Sequence, residues 1–453
     1  MSSSVQTPSP SLVGSFTPEA FNAHLATQSD APIWWLDYKR DAYAKFAALP
    51  MPKRTDESWR FSNISGLTLE GFQVGRVVPN APSDLPTGSG IDGVAALTFI
   101  NNVLAGSTLL APELTAKGVI VTTLAAAAKS HPDLLKAHFM AQPQKLGSEK
   151  FAALHSAFVG DGAFIYIPKG VELPAPLIIT HVAQGAGTAV FPHTLVIAEE
   201  NSKATIVDLF LSAGSDSQPS TLNSQPGERQ LAVGSNDLYA AHGAQLTYVG
   251  AQNWSRETLS FHFNDTIVRR DARVQSLNVH LGARQARHES LSQLQAPGAF
   301  SEMLAVTVAD ATQEFDQRTL QIHQAPNTKS DLLYKNTLRD KTRTIFSGLI
   351  IVDQDAQKTD AYQSNRNLML SDDAEANSLP GLEIQANDVR CTHGATSARI
   401  DPEQEFYLQS RGIHKAMADE LLTFGFFEEV LNRLENEALH DTLRSLIQTK
   451  FKK

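Results

Sequence analysis

Three textures of hydrophobic and polar positions succeed one another along the chain. In the first, Thr17-Pro18-Glu19 supplies an N-cap, a proline at the first helical position and an acidic first turn, and predicts a helix through about Thr27. A second helix is predicted to carry Trp34, Trp35, Leu36 and Phe46. Leu49-Pro50-Met51-Pro52 stops it, because proline lacks a donor and restricts the residue before it. Strands are predicted at 97–100 and 119–122, and helices at 134–140 and 149–157. From Gly162 the texture changes to short apolar or alternating runs broken by small and turn residues, as at 164–167, 177–180, 194–198 and 204–211. This continues to about residue 400 without an amphipathic helix. The dipeptides Gly243-Ala244, Asp271-Ala272, Gly298-Ala299 and Asp310-Ala311 precede alternating stretches at spacings of 28, 27 and 12 residues, as rungs of a coiled sheet with inserted loops would. A sandwich would carry more two-residue hairpin signals. Here Asn-Gly is absent, and Asp-Gly occurs only at Asp92-Gly93 and Asp161-Gly162. The pattern predicts a mainly β chain built on a β-helix-like solenoid.

The third texture is helical. Asp401-Pro402-Glu403-Gln404 gives an N-cap, a proline at the first position and a capping-box glutamine, and Ser410-Arg411-Gly412 makes a break. Met417, Leu421, Phe424, Phe427, Val430, Leu431 and Leu434 then recur at helical spacing, marking an apolar face that needs a partner surface. Open solenoid ends invite strand-to-strand association, and the flanking helices are expected to cap them. The division expected is a Ser- and Pro-rich disordered tail at 1–15, a mixed helical and strand region at 16–160, a β-helix core at 161–400 and a helical domain at 401–453.

Composition narrows the class. A chain of 453 residues has length for about three domains or one elongated array. Its 38 Lys and Arg against 48 Asp and Glu leave a net charge of −10, which argues against duplex DNA or an anionic membrane as the main partner. With 19% charged and 42% hydrophobic residues it is neither a polyelectrolyte nor a membrane bundle. No apolar run approaches the ~18 residues of a spanning helix. The first basic residue is Lys39, so neither a signal nor a transit peptide is expected, and the default is a cytoplasmic protein. The lone Cys391 excludes an internal disulfide framework, a multi-cysteine zinc site and a four-thiolate iron–sulfur site within one chain.

The densest chemistry is Asp388-Val389-Arg390-Cys391-Thr392-His393-Gly394-Ala395-Thr396. In a strand, Cys391 and His393 share a face, so a thiol and an imidazole could meet one metal ion or one partner surface, as two ligands of an incomplete site. A structural cysteine beside a turn histidine fits the same residues. A nucleophilic Cys–His pair fits them less well, because neighbours two apart in a strand seldom adopt that geometry. Asp353, Asp355 and Asp360 could form the carboxylate cluster of a polysaccharide-cleaving β-helix enzyme, or could be turn aspartates. His262, His280 and His323 fall in no metal-binding helical spacing and are expected to be satisfied by neighbours. Arg269-Arg270 and Lys450, Lys452 and Lys453 read as solvated faces. No phosphate-binding loop is present, so the chain is not expected to hydrolyse ATP itself.

Three segments carry a resemblance. LEIQANDVRCTHGATSARIDPEQEFYLQSRGI at 382–413, FAALHSAFVGDGAFIYIPKGVELPAPLIIT at 151–180 and PKRTDESWRF at 52–61 resemble the SufB/SufD family of iron–sulfur cluster assembly proteins, in the expected order. Within it the chain is more similar to the SufD type. Gly394 follows the signature His393 where the SufB type has Glu, no cysteine precedes Cys391, and NLMLSDDA at 367–374 has the SufD form. His155 stands where the family pattern leads one to expect Asn. The resemblance implies a right-handed parallel β-helix between N-terminal and C-terminal helical regions. It also implies a SufB-like sibling paired through the β-helix and a SufC-like ABC-type ATPase docked on the C-terminal helices, which points to Arg411, Gly412, Ile413, Met417, Leu421, Phe424 and Phe427. His393 matches the histidine at the sibling interface, as an iron or cluster ligand or a proton relay, with Cys391 the weaker candidate. The chain would be a non-catalytic subunit with no tightly bound cofactor, iron or a cluster passing transiently through the complex. Alone it could form a homodimer. A plain solenoid interaction protein and a polysaccharide-active enzyme are the competing classes.

Overall fold

The computed structural model describes residues 10–75, 91–213 and 229–451. The architecture is mainly β, a parallel β-helix flanked by helices near both termini. Two sheets run the length of the core, and successive strands alternate between them. In the second sheet Gln245 pairs with Arg273, Arg273 with Phe300, Phe300 with Lys329, Lys329 with Asp360 and Asp360 with Arg390. The chain thus regains its register after 28, 27, 29, 31 and 30 residues.

The corners explain the dipeptides. Asn201, Gly243, Asp271, Gly298, Asn327 and Lys358 all have positive φ and stand two residues before a strand of the second sheet. This conformation suits Gly, Asn and Asp. The next residue, Ser202, Ala244, Ala272, Ala299, Thr328 or Thr359, is small and buried, so the corners stack along the solenoid. Asp310-Ala311 belongs to the opposite corner, before Glu314–His323, which accounts for the short spacing of 12.

Three apolar layers hold the molecule together. Inside, Ile165, Val196, Ile206, Leu246 and Val274 fill the early rungs. On the outer face of the first sheet, Val233, Phe261 and Phe263 receive Phe16, Phe46, Phe151 and Phe158 from the N-terminal region; Phe151 stacks on Phe261 at 3.8 Å between ring centroids. On the outer face of the second sheet, Val207, Val249, Leu277, Leu304 and Leu333 receive Phe427, Val430, Leu431, Leu443 and Ile447.

The helices therefore cover the sheet faces rather than capping the ends of the solenoid. An apolar sheet face must be buried by something with an apolar stripe, whereas antiparallel strands suffice at the first rungs: Val103–Thr108 on Ala95–Ile100, and Ile120–Thr123 on Ala163–Ile167. The other end is open. Among the described residues no strand pairs beyond Glu375–Ile384 or Arg390–Arg399.

Two local expectations change. A short helix, Pro10–Val13, falls within the stretch read as a tail, and Val13 joins the N-terminal core; residues 1–9 lie outside the described residues. Lys450 is buried, its ammonium 2.7 Å from Asp310 Oδ1 and 2.9 Å from Gln313 Oε1, because its helix packs against the second sheet. Lys452 and Lys453 lie outside the described residues.

Candidate functional site

The last rung places the signature residues. Arg390–Arg399 is the final strand of the second sheet, with Cys391 in register with Ala361 and His393 with Gln363. Ala361 and Gln363 are buried on the inward face, so Cys391 and His393 stand above them over the lumen, side chains alternating along the strand. Cys391 is half-buried against Ile350, Val352, Ala356 and Leu382. Burial pushes its thiol up, partly offset by a backbone hydrogen bond at Ala361; this is the opposite of what an activated nucleophile needs. His393 is exposed. The two remain an incomplete ligand set, since among the described residues no three His, Cys, Asp or Glu side chains converge to hold a metal ion. Asp353 and Asp355 lie in the turn before Asp360–Met369 rather than on a strand face, and Asp360 sits 3.8 Å from Lys329. The carboxylate groove of a sugar-cleaving enzyme is not assembled there.

A second exposed surface lies on the C-terminal helices. Asp401 caps Pro402–Ser410 by accepting from Glu403 N, and Gly412, at φ +84°, turns the chain into Lys415–Leu431. The apolar stripe of that helix divides. Phe427, Val430 and Leu431 are fully buried on the second sheet, while Met417 and Leu421 are 58% and 49% exposed. Phe427 therefore anchors the helix and is not part of a free face, which corrects its place among the docking residues. Phe424 packs against Phe451. Pro402–Ser410 buries none of its residues and adds Phe406, 72% exposed, and Tyr407, 56% exposed, with Arg411 over the Tyr407 ring. Helical spacing did not single these two out. Their signal was two adjacent aromatics in a helix with no apolar stripe to bury them.

Comparison with known proteins identifies the family. A model described as "SUF system FeS cluster assembly, SufBD core domain" matches residues 181–426, and one for the SufBD protein N-terminal region matches residues 21–179. The chain belongs to the SufBD family. It is similar to the iron–sulfur cluster assembly protein SufD of Bacillus subtilis, 30% identical over 93% of this chain and 95% of that one. It is also similar to SufD of Escherichia coli, 32% identical over 66% of this chain and 68% of that one. A SufBD family protein of Synechocystis is 29% identical over 88% and 87%. The chain is thus a SufD-like member of a family of iron–sulfur cluster assembly proteins. No described helix is long and apolar enough to cross a membrane.

The other two segments of the SufBD resemblance have structural work. In the early one, the Ser58 carbonyl accepts from Arg287 at 2.9 Å and the Trp59 ring lies 3.9 Å from the guanidinium. Arg287 also binds Glu289 and Asp316, 2.7 and 2.5 Å away, and Ser62 donates to Asp316. This buried network fastens the N-terminal region to the first sheet. In the other, His155 places Nδ1 2.7 Å from the Val233 carbonyl and Nε2 3.0 Å from His193 Nδ1, so the histidine found where Asn was expected joins helix to sheet. Of the scattered histidines, His323 has both nitrogens bonded, to Thr328 and Ser330, and His262 bonds Asn236. His280 bonds Thr307 but leaves Nε2 without a partner.

Proposed function

We propose that this chain is a non-catalytic scaffold subunit of a cytoplasmic iron–sulfur cluster assembly complex. It would pair with a SufB-like sibling through its last rung and dock a SufC-like ATPase on its C-terminal helices. The observation that carries the reading is the last rung, Glu375–Ile384 and Arg390–Arg399, whose outer edges pair with no described strand, with exposed His393 on it. A row of free backbone donors and acceptors seeks another strand, and His393 would then lie at the seam. There one imidazole would complete a ligand set with thiolate and carboxylate from the sibling, or relay a proton to it. Iron accepts mixed N, O and S ligands, and a weakly held cluster is one that can be released. Iron or the cluster is cargo in this scheme, and the chain itself holds no cofactor tightly. Cys391, with its raised thiol, would pack in the interface before it would ligate.

Phe406, Tyr407, Met417 and Leu421 form the exposed apolar surface for the ATPase, extended by Arg411, Gly412 and Ile413. ATP-driven association of two ATPases would move the seam and open the surroundings of Cys391 and His393.

Native mass measurement on the complex purified from its own cells tests the proposal. One copy of this chain, one SufB-like sibling and two ATPase chains are expected; a lone chain after crosslinking would overturn it.

A further inference from the structure

Toward its open end, the inside of the β-helix gains polar side chains beside the apolar Met303, Leu332, Tyr334 and Phe346. Register and burial set His288, Thr319 and Gln321 of the first sheet, and His280, Gln363 and Asn365 of the second, on the inward face. All six are at most 6% exposed. Each has a side-chain atom with no hydrogen-bond partner: His280 Nε2, both nitrogens of His288, Thr319 Oγ1, both ends of Gln321, Gln363 Oε1 and Asn365 Nδ2. A neutral imidazole always carries one N–H, so His288 buries a donor and an acceptor that meet nothing. If the lumen were dry, the summed desolvation cost of these groups would be of the size of a domain's whole net stability. Folded proteins meet such a demand with buried water.

Gly348 marks the tightest approach. A Cβ there would stand 2.4 Å from Gln363 Oε1, 2.7 Å from Phe346 Cζ and 2.9 Å from Thr319 Oγ1, so only glycine lets these two unpartnered oxygens come this close to the backbone. The polar column also reaches the open rung. Asn336 donates to Asn367 Oδ1 at 2.8 Å, Asn367 Nδ2 donates to the Thr396 carbonyl at 3.2 Å, and Gln363 Nε2 donates to the Gly381 carbonyl at 3.1 Å. Thr396 and Gly381 belong to the last two strands, and Gln363 lies directly beneath His393 in register.

We infer that the lumen holds a file of bound water running from the His280 and His288 imidazoles to the rung that carries Cys391 and His393. The water satisfies the amides and imidazoles along the way. That this file brings protons to His393 rests on the function proposed above; the water itself does not.

Millisecond X-ray hydroxyl-radical footprinting of the full-length isolated chain in 18O-labelled water tests it, because radicals formed from bound water oxidise side chains that bulk solvent never touches. Oxidation with 18O uptake is expected at His280 and His288, while equally buried Phe151 and Phe158 of the N-terminal core stay unmodified. Unmodified His280 and His288 beside normally labelled surface residues would overturn the inference. The paired variants Thr319→Val and Gln321→Leu give a second readout: in a hydrated lumen they lower the Tm by about 2 °C or more, since water loses its partners. A higher Tm would mean a dry lumen relieved of orphaned groups and would overturn the inference. Both readouts come from the isolated chain, so neither depends on whether a sibling or an ATPase binds.

Discussion

His393 is the side chain on which the functional reading turns. His393→Ala is expected to cut cluster formation on the assembled complex by roughly tenfold or more, the scale of loss at metal sites, with the complex still intact by gel filtration. Unchanged cluster formation would reduce the chain to a plain scaffold. Lys39 is a different kind of residue, fully buried in Ile33–Ala48 and donating to the Val159 carbonyl. Burial lowers its pKa to about 7, with Asp161 opposing. The native state therefore releases this proton near pH 7, while the unfolded chain holds it to about 10.4. Between those values the unfolded state binds more protons, so stability rises with pH. Denaturant melts should show wild type gaining on Lys39→Met from pH 7 toward pH 10; parallel curves would refute this. His155→Ala strips the Val233 carbonyl and His193 of a partner and opens a cavity, at a cost of roughly 2–3 kcal/mol. His155→Asn should cost less in the same melts. Strand alternation made the shared face of Cys391 and His393 legible from sequence. The pairing of His155 with His193 was not, because it joins a helix to a strand 38 residues on.

At the level of elements, local chemistry spoke most clearly at boundaries. The Thr17 cap, with its side chain accepting from Ala20 N, and the start of Lys415–Leu431 lie where caps and breaks placed them. The corner signal was read at four dipeptides, but Asn201-Ser202, Asn327-Thr328 and Lys358-Thr359 make the same turn without the alanine that drew attention to the others. The C-terminal stripe shows the limit of periodicity. Spacing marks an apolar face but not where its partner surface ends, and here the second sheet covers Phe427 and leaves Met417 and Leu421 exposed. Phe406→Asp with Leu421→Asp should weaken binding of the ATPase at least tenfold in a titration while leaving the Tm within a few degrees, because both side chains are exposed. Phe427→Ala, in contrast, should cost about 3–5 kcal/mol by opening the buried layer. A double variant that binds the ATPase normally would move the docking surface elsewhere.

For the whole molecule the decisive feature is asymmetry. Helices cover both sheet faces, antiparallel strands close one end of the solenoid, and the other end is left open with His393 on it. An open edge favours pairing with another such edge. Light scattering on the isolated chain should give twice its 49.2 kDa, and the sibling should convert this to a one-to-one pair. A strict monomer at high concentration would argue against the edge as an interface. In the assembled complex, an ATP analogue should speed thiol labelling of Cys391; an unchanged rate would remove the opening step.

The sequence alone determined the coil of short strands, the helices on either side of it, the single thiol and the Cys-x-His strand, because capping, turn chemistry and two-residue alternation act over a few neighbours. Tertiary structure decided which surfaces those pieces cover. It laid the helices on the sheet faces rather than the ends, buried Phe427 and Lys450, gathered amides and imidazoles distant in sequence into one lumen, and left the outer edge of the His393 rung with no partner strand among the described residues. Burial is a property of what packs opposite a residue, and that partner lies tens to hundreds of positions away along the chain.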